Sequence, residues 1–340
     1  MKLVRFLLFP FAVLYDLITS IRNLFYDRGI FKSTSFKVPI IAVGNLSVGG
    51  TGKTPQIEYL IKLLQKDNKV AVLSRGYKRK TEGYILLNDS HSAEDVGDEP
   101  LQFFKKFSNI QVAVDAKRTN GITKLLSQKN KPNLILLDDA FQHRKVTAGF
   151  YILLTKYNDL YSDDFLLPTG NLRESKRGAQ RANLIVVTKC PSNLSEAIKN
   201  KITQKLKPKG NQRIFFTSIS YADGLKGEAK ISINKLMNYE VVLVTGIANP
   251  NPMLVYLNKL KVKYRHINFP DHHNFTENDI QKIKSQLDAI SSSNKMILTT
   301  EKDYMRLASK IDGLYYLPIE TNFLENSDNF DKEIKEFVKR

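Results

Sequence analysis

The stretch Ser47-Val48-Gly49-Gly50-Thr51-Gly52-Lys53-Thr54 constrains this chain more than any other. It closes in Gly-Lys-Thr, as a phosphate-binding P-loop does. The apolar run Ile40-Ile41-Ala42-Val43 before it reads as a buried strand, and Ile57, Leu60, Ile61 and Leu64 after it share one helical face. Strand, glycine-rich loop and helix together separate a working P-loop from a chance match. Glycines let backbone N–H groups turn toward phosphate oxygens, and the helix N-terminus adds partial positive charge. Lys53 is expected to reach the β- and γ-phosphates and Thr54 to ligate Mg²⁺. Pro55 suits a first helical turn, where its missing N–H is no loss. One departure stands out: the general pattern opens on Gly, and here that place is Ser47.

Other apolar runs continue the pattern. Lys69–Leu73, Val112–Val114, Leu134–Leu137, Tyr151–Leu154 and Leu184–Val187 read as strands, with a helix from Arg118 to Gln128. Short unbroken runs alternating with helices predict a parallel sheet covered on both faces, which binds ligands at its strands' carboxyl ends. Polar residues thicken around 207–235, which reads as a linker region with a hairpin as the alternative, and a second α/β series begins at Val241–Val244. The expected organisation is a membrane helix at 1–28, a P-loop domain at 29–212, a linker at 213–235 and a smaller α/β domain at 236–340. Later strands are expected near Ile267–Phe269, Met296–Leu298 and Leu314–Leu317, and a closing helix near 327–339.

With 340 residues the chain can build one large or two moderate cores. Its single cysteine, Cys190, excludes a disulfide framework and a cysteine metal site, and its five histidines form no cluster at zinc spacing. The net charge of +18 calls for an anionic partner: nucleic acid, an acidic membrane or a phosphorylated substrate. No nucleic-acid-binding motif stands out.

Residues 6–15 are uninterrupted apolar, too short for a bilayer span of about 20 residues. On a helical wheel Arg5, Ala12, Asp16, Thr19, Asn23 and Asp27 line one stripe, with Leu7, Leu14, Leu17, Ile18, Ile21 and Phe25 opposite. That pattern suits a helix lying in a membrane interface, with Lys2, Arg5 and Arg22 for anionic headgroups. A core-packed helix, a signal peptide and a tilted span are the alternatives. Pro10 marks either a kink or the start of the helix.

Asp138 ends an apolar strand after the P-loop, where an acid that holds Mg²⁺ belongs, and Asp139 is a second candidate. Paired carboxylates there are poor core residues unless a cation or hydrogen bonds neutralise them. Gly97-Asp98-Glu99-Pro100 reads as a helix start, and Asp271-His272-His273 as a loop.

Taken together the motifs resemble the tetraacyldisaccharide 4′-kinase family of Gram-negative bacteria. The matching segments are Val43–Pro55, Ser74–Tyr77, Gly97–Pro100, Asp138–Arg144, Leu167–Glu174, Gly246–Pro250, Phe269–His273 and Thr300–Asp303, in the family's order. Ser47 is typical of this family, whereas Ala140 stands where the family usually has Gly. The resemblance implies two α/β domains with the active site between them. The implied reaction is ATP-dependent phosphorylation of the 4′-hydroxyl of a tetraacylated glucosamine disaccharide 1-phosphate, on the cytoplasmic face of the inner membrane. It also implies roles: Asp98 as base with His272 as its partner, Lys53 on the transferring phosphoryl group, and Thr54, Asp138 and Asp139 around Mg²⁺. Gln142, Arg75, Arg118, Arg173 and Glu174 are expected at the acceptor or the developing charge. His272 is preferred to His273 on the motif match alone.

A regulatory or metal-insertion P-loop GTPase is the rival reading, because Val186-Val187-Thr188-Lys189 ends a strand as a guanine-reading motif would. The aspartate that should follow is replaced by Cys190-Pro191, which argues for ATP. A non-catalytic adaptor with a relic loop is the third reading.

Overall fold

The apolar runs of the first half become the strands of one large sheet. In the computed structural model, which describes residues 5–340, these are β1 (Ile40–Asn45), β2 (Val70–Ser74), β3 (Ile85–Leu86), β4 (Gln111–Val114), β5 (Leu134–Asp138), β6 (Phe150–Lys156), β7 (Leu184–Thr188) and β8 (Arg213–Tyr221). A second sheet takes β9 (Gly224–Gly227), β10 (Ile231–Ser232), β11 (Glu240–Thr245), β12 (Lys263–Asn268), β13 (Lys295–Thr300) and β14 (Leu314–Leu317), and β15 (Ile319–Phe323) returns to the first. The orders are β15-β8-β7-β6-β1-β5-β2-β4-β3 and β10-β9-β14-β13-β11-β12. From β8 to β4 the large sheet is parallel, with antiparallel β15 and β3 at its edges. This is the mixed, parallel-rich α/β build expected.

Strand periodicity explains why both faces are apolar. In β1, Ile41 and Val43 join one core while Ile40 and Ala42 join another, and β5 divides its residues the same way. The small sheet repeats the device, with Val242 and Val244 on one side of β11 and Val241 and Leu243 on the other.

Two expectations about organisation are corrected. The stretch 213–235 is strand as well as loop: β8 extends the large sheet, which was not expected, while β9 and β10 form the antiparallel pair that the hairpin alternative allowed, at the edge of the small sheet. Its glycines suggested a linker, yet Gly227 is a packing glycine, since a Cβ there would collide with the Leu314 carbonyl oxygen. The last residues do not belong to the small sheet. β15 pairs with β8, and the helix Ser327–Val338 buries Phe330 and Ile334 in the core that contains Ile57 and Phe215. Each such burial is worth about 1.5–3 kcal/mol.

The N-terminal helix Phe9–Asp27 carries Pro10 in its first turn, so the proline marks a start and not a kink. Its Ala12 and Thr19, on the stripe opposite the apolar face, are buried, while Leu17 is 55% and Ile18 58% exposed. Lys2, expected to meet headgroups, lies outside the described residues. No helix among those described is long and apolar enough to cross a membrane.

Candidate active site

β1 delivers the P-loop at its carboxyl end, and the helix Lys53–Leu64 leaves it. Gly49 and Gly52 take φ of +98° and +86°, a region that L side chains rarely adopt, so these two glycines are required. The loop is braced from both sides. The Thr188 hydroxyl, at the end of β7, donates to the Thr51 carbonyl at 2.8 Å, and the Val48 N–H donates to the Asn171 carbonyl at 2.8 Å.

The paired carboxylates end β5 beside it. Lys53 Nζ lies 3.7 Å from Asp139 Oδ1, and Arg173 forks onto the same carboxylate at 2.8 and 3.2 Å. Arg173 also donates to the Asn45 backbone carbonyl at 3.0 Å. Burial pushes the Asp139 carboxyl up, but Lys53 and Arg173 outweigh it and hold the group below its ordinary range. Asp138 differs. Burial pushes its carboxyl up to about 6, with Asp139 adding and the Ser74 hydroxyl, donating at 2.6 Å, opposing. A buried carboxylate with a single hydroxyl donor is suited to a cation. Among the described residues no cluster of three or more His, Cys, Asp or Glu could hold a metal unaided. This donor set therefore fits Mg²⁺, which takes one or two carboxylates and completes its shell from water and phosphates.

Asp98 opens the helix Asp98–Lys106. Gly97, at φ +95°, packs against Gly76 and Tyr77, which leave the carboxyl end of β2. The small sheet turns its own carboxyl ends to the same place. His272, just past β12, sets Nδ1 3.1 Å from Asp98 Oδ2, and its Nε2 lies 2.9 Å from Lys302 Nζ. Sequence reasoning missed Arg306, on the helix Glu301–Leu307 after β13. Its Nε and Nη2 donate to the two Asp98 oxygens at 2.8 and 2.6 Å. Burial alone would raise the Asp98 carboxyl, but the hydrogen bonds from His272 and Arg306 and the charges of Arg306 and Lys302 hold it at about 2. Lys302 and Arg306 are spaced i,i+4, one helical face, and that spacing was the available signal. His273 points elsewhere, bonding Asp279 at 2.9 Å and stacking on Phe269.

The expected acceptor contacts divide. Arg75 is exposed at the end of β2 and has no hydrogen-bond or ion-pair partner among the described residues. Arg173 lies in the site itself. Two others do not fit the expectation. Arg118 is 2% exposed and lies beneath the site, donating to the carbonyls of Asp115 and Asp138. Glu174, equally buried, accepts from Asn23, Gln142 and Arg181. An Arg or a Glu spaced by motif cannot reveal whether it faces a cleft or supports it. Gln142 belongs with these supports, since it also donates to the Asn45 carbonyl at 2.8 Å.

The same segment seats the N-terminal helix. Arg5 donates to the Pro168 carbonyl at 3.1 Å, Tyr15 to the Arg173 carbonyl at 2.9 Å and Asn23 to Glu174 at 2.8 Å. The exposed apolar face thus turns outward from a stripe bonded to residues 168–174.

A parallel α/β sheet with a Gly-Lys-Thr loop and paired carboxylates at its carboxyl edge defines a P-loop phosphotransferase. The model of the family described as Tetraacyldisaccharide-1-P 4′-kinase matches residues 4–339, and the chain belongs to that family. A protein of Flavobacterium johnsoniae named Tetraacyldisaccharide 4′-kinase is 56% identical, with 100% of this chain and 98% of that protein covered. One of the same name from Bacteroides thetaiotaomicron is 43% identical over 98% of this chain and 93% of its own. A crystal structure titled as the "apo" form of LpxK from Aquifex aeolicus in complex with ATP superposes with a TM-score of 0.80. It shares 30% identity, with 98% of this chain and 99% of that one covered. Family membership removes the GTPase and adaptor readings.

Proposed function

We propose that this kinase transfers the γ-phosphate of ATP to the 4′-hydroxyl of a tetraacylated glucosamine disaccharide 1-phosphate, a lipid A precursor, giving the 1,4′-bisphosphate. The observation that carries the reading is the meeting of Asp98 with His272 and Arg306, contributed by two sheets, on the carboxyl edge that holds Lys53, Asp138 and Asp139.

Phosphoryl transfer has a loose transition state, so the protein's work is positioning and charge stabilisation. The P-loop N–H groups and Lys53 hold the β- and γ-phosphates. Asp139, shared by Lys53 and Arg173, orients both cations. Thr54, Asp138 and Asp139 would hold Mg²⁺, which neutralises phosphate charge when bound. Asp98 stays ionised across the working pH range because its carboxyl titrates at about 2. It accepts the 4′-hydroxyl proton late, once bonding to phosphorus has made that proton acidic, while His272 and Arg306 fix its direction. Arg75, exposed at the end of β2, meets the acceptor's phosphate.

The outward apolar face of the helix Phe9–Asp27 lies in the cytoplasmic interface of the inner membrane, and basic residues meet anionic headgroups. The acyl chains of the acceptor remain in the same layer.

The test is transfer from γ-labelled ATP to a tetraacyl disaccharide 1-phosphate in detergent micelles, with Lys53→Ala in parallel. A bisphosphorylated lipid, lost by at least about 10²-fold in the variant, is expected. A folded, ATP-binding protein that makes none would overturn the acceptor assignment.

A further inference from the structure

Lys53 is not the lone ammonium at the P-loop. Lys189, the residue after β7, has its backbone in the left-handed region at φ +58°. Its neighbours fix it there. The Thr188 hydroxyl is bonded to the Thr51 carbonyl at 2.8 Å and to that of Thr155 at 3.2 Å. On the other side the Cys190 N–H donates to the Thr217 carbonyl at 2.9 Å. From this anchored position the side chain reaches back to the loop crest: a Cβ built on Gly50 would stand 3.9 Å from Lys189 Nζ.

Lys189 has no hydrogen-bond or ion-pair partner among the described residues. Lys156, in the neighbouring strand, is paired with Asp159 at 2.7 Å. Lys189 is itself exposed; nearby protein atoms and then the charge of Lys156 pull its ammonium below the ordinary range. Beside it lies a loop whose own N–H groups are suited to phosphate. A P-loop and an exposed ammonium that reaches its crest, facing one space, together suit a polyanion.

We propose that Lys189 is a nucleotide-binding residue whose ammonium contacts the phosphate tail of the bound triphosphate from the β7 side of the loop, as a second cation beside Lys53. This deepens the reading that the P-loop binds ATP, and rests on it. It also gives the Thr188-Lys189 pair a task unrelated to reading a base: Thr188 braces the loop and Lys189 meets the phosphates.

Calorimetric ATP binding with Mg²⁺ present, for wild type, Lys189→Met and Lys189→Arg, tests this. The methionine variant is expected to raise the ATP Kd about tenfold, the scale of one charge-assisted contact. The arginine variant should recover most of the loss. KM for the lipid acceptor and the melting temperature without nucleotide should not move. Should Lys189→Met fail to fold, Lys189→Gly suits the positive φ and should show the same loss. An unchanged Kd, or equal losses in the methionine and arginine variants, overturns the proposal while leaving the P-loop reading intact. Wild-type protein that binds no ATP overturns that reading instead.

Discussion

Asp98 illustrates how a residue can be legible while its surroundings are not. Its place in Gly97–Pro100 was readable because the motif is contiguous, as were Lys53, Asp138 and Asp139. Arg306 lies 208 positions away and touches Asp98 only through the fold. It has two effects on the carboxylate: it directs the lone pairs and it keeps the group ionised. Asp98→Asn should therefore cut turnover by about 10²–10⁴-fold while the ATP Kd stays within about twofold. Retained turnover would remove Asp98 as the proton acceptor. Arg306→Ala separates the two effects. Without the fork, burial raises the Asp98 carboxyl with less opposition, so activity should fall away at a higher pH on the acid side than in wild type. A pH profile of kcat that merely drops in parallel would assign Arg306 to orientation alone.

The helix Phe9–Asp27 joins an exposed apolar face to the residues around the site. Its amphipathic wheel could be read from the sequence because period and charge are local properties. What its polar stripe touches could not, since Tyr15 and Asn23 bond to residues more than 150 positions away. These bonds reach Arg173 and Glu174, and Arg173 in turn holds Asp139 beside Lys53. Membrane recovery and turnover should accordingly separate. Tyr15→Phe with Asn23→Ala leaves the apolar face intact, so the protein should still sediment with membranes, yet kcat in micelles should fall several-fold. Unchanged kcat would make the helix an anchor only. Strand β8 shows the opposite limit of local reading. Ile214, Phe215 and Phe216 were present, but Pro208 and Gly210 before them and Gly224 and Gly227 after them obscured the run, and only pairing with β7 and β15 reveals the strand.

At the scale of the whole molecule, the two sheets meet along a charged seam. Beyond Asp98–Arg306 it contains Lys302–Glu99 at 3.5 Å, and Lys106 between Glu58 at 2.6 Å and Glu301 at 2.7 Å. Burial, followed by the charge of Glu301, raises the Glu58 carboxyl from 4.5 to about 7. A carboxyl that holds its proton more tightly when folded contributes stability that is full below about pH 4.5 and is lost as pH rises through about 7. Wild type should melt at a lower temperature at pH 8 than at pH 6 in part for this reason. Glu58→Gln, which carries no proton to lose, should narrow that difference. An unaltered difference would place the pH dependence elsewhere.

The path of the chain through the two sheets has a consequence for how the molecule is made. β8 is synthesised, then the whole small sheet, and only afterwards β15 and the helix Ser327–Val338 that pair with β8 and fill the first core. The P-loop body thus waits, with Phe215 and Ile57 uncovered, until its partner has been translated. A ribosome that stopped after Leu317 would release the first sheet without β15 and without the helix that completes its core. The order of synthesis thereby makes completion of the ATP-handling half depend on prior delivery of the half that supplies His272 and Arg306.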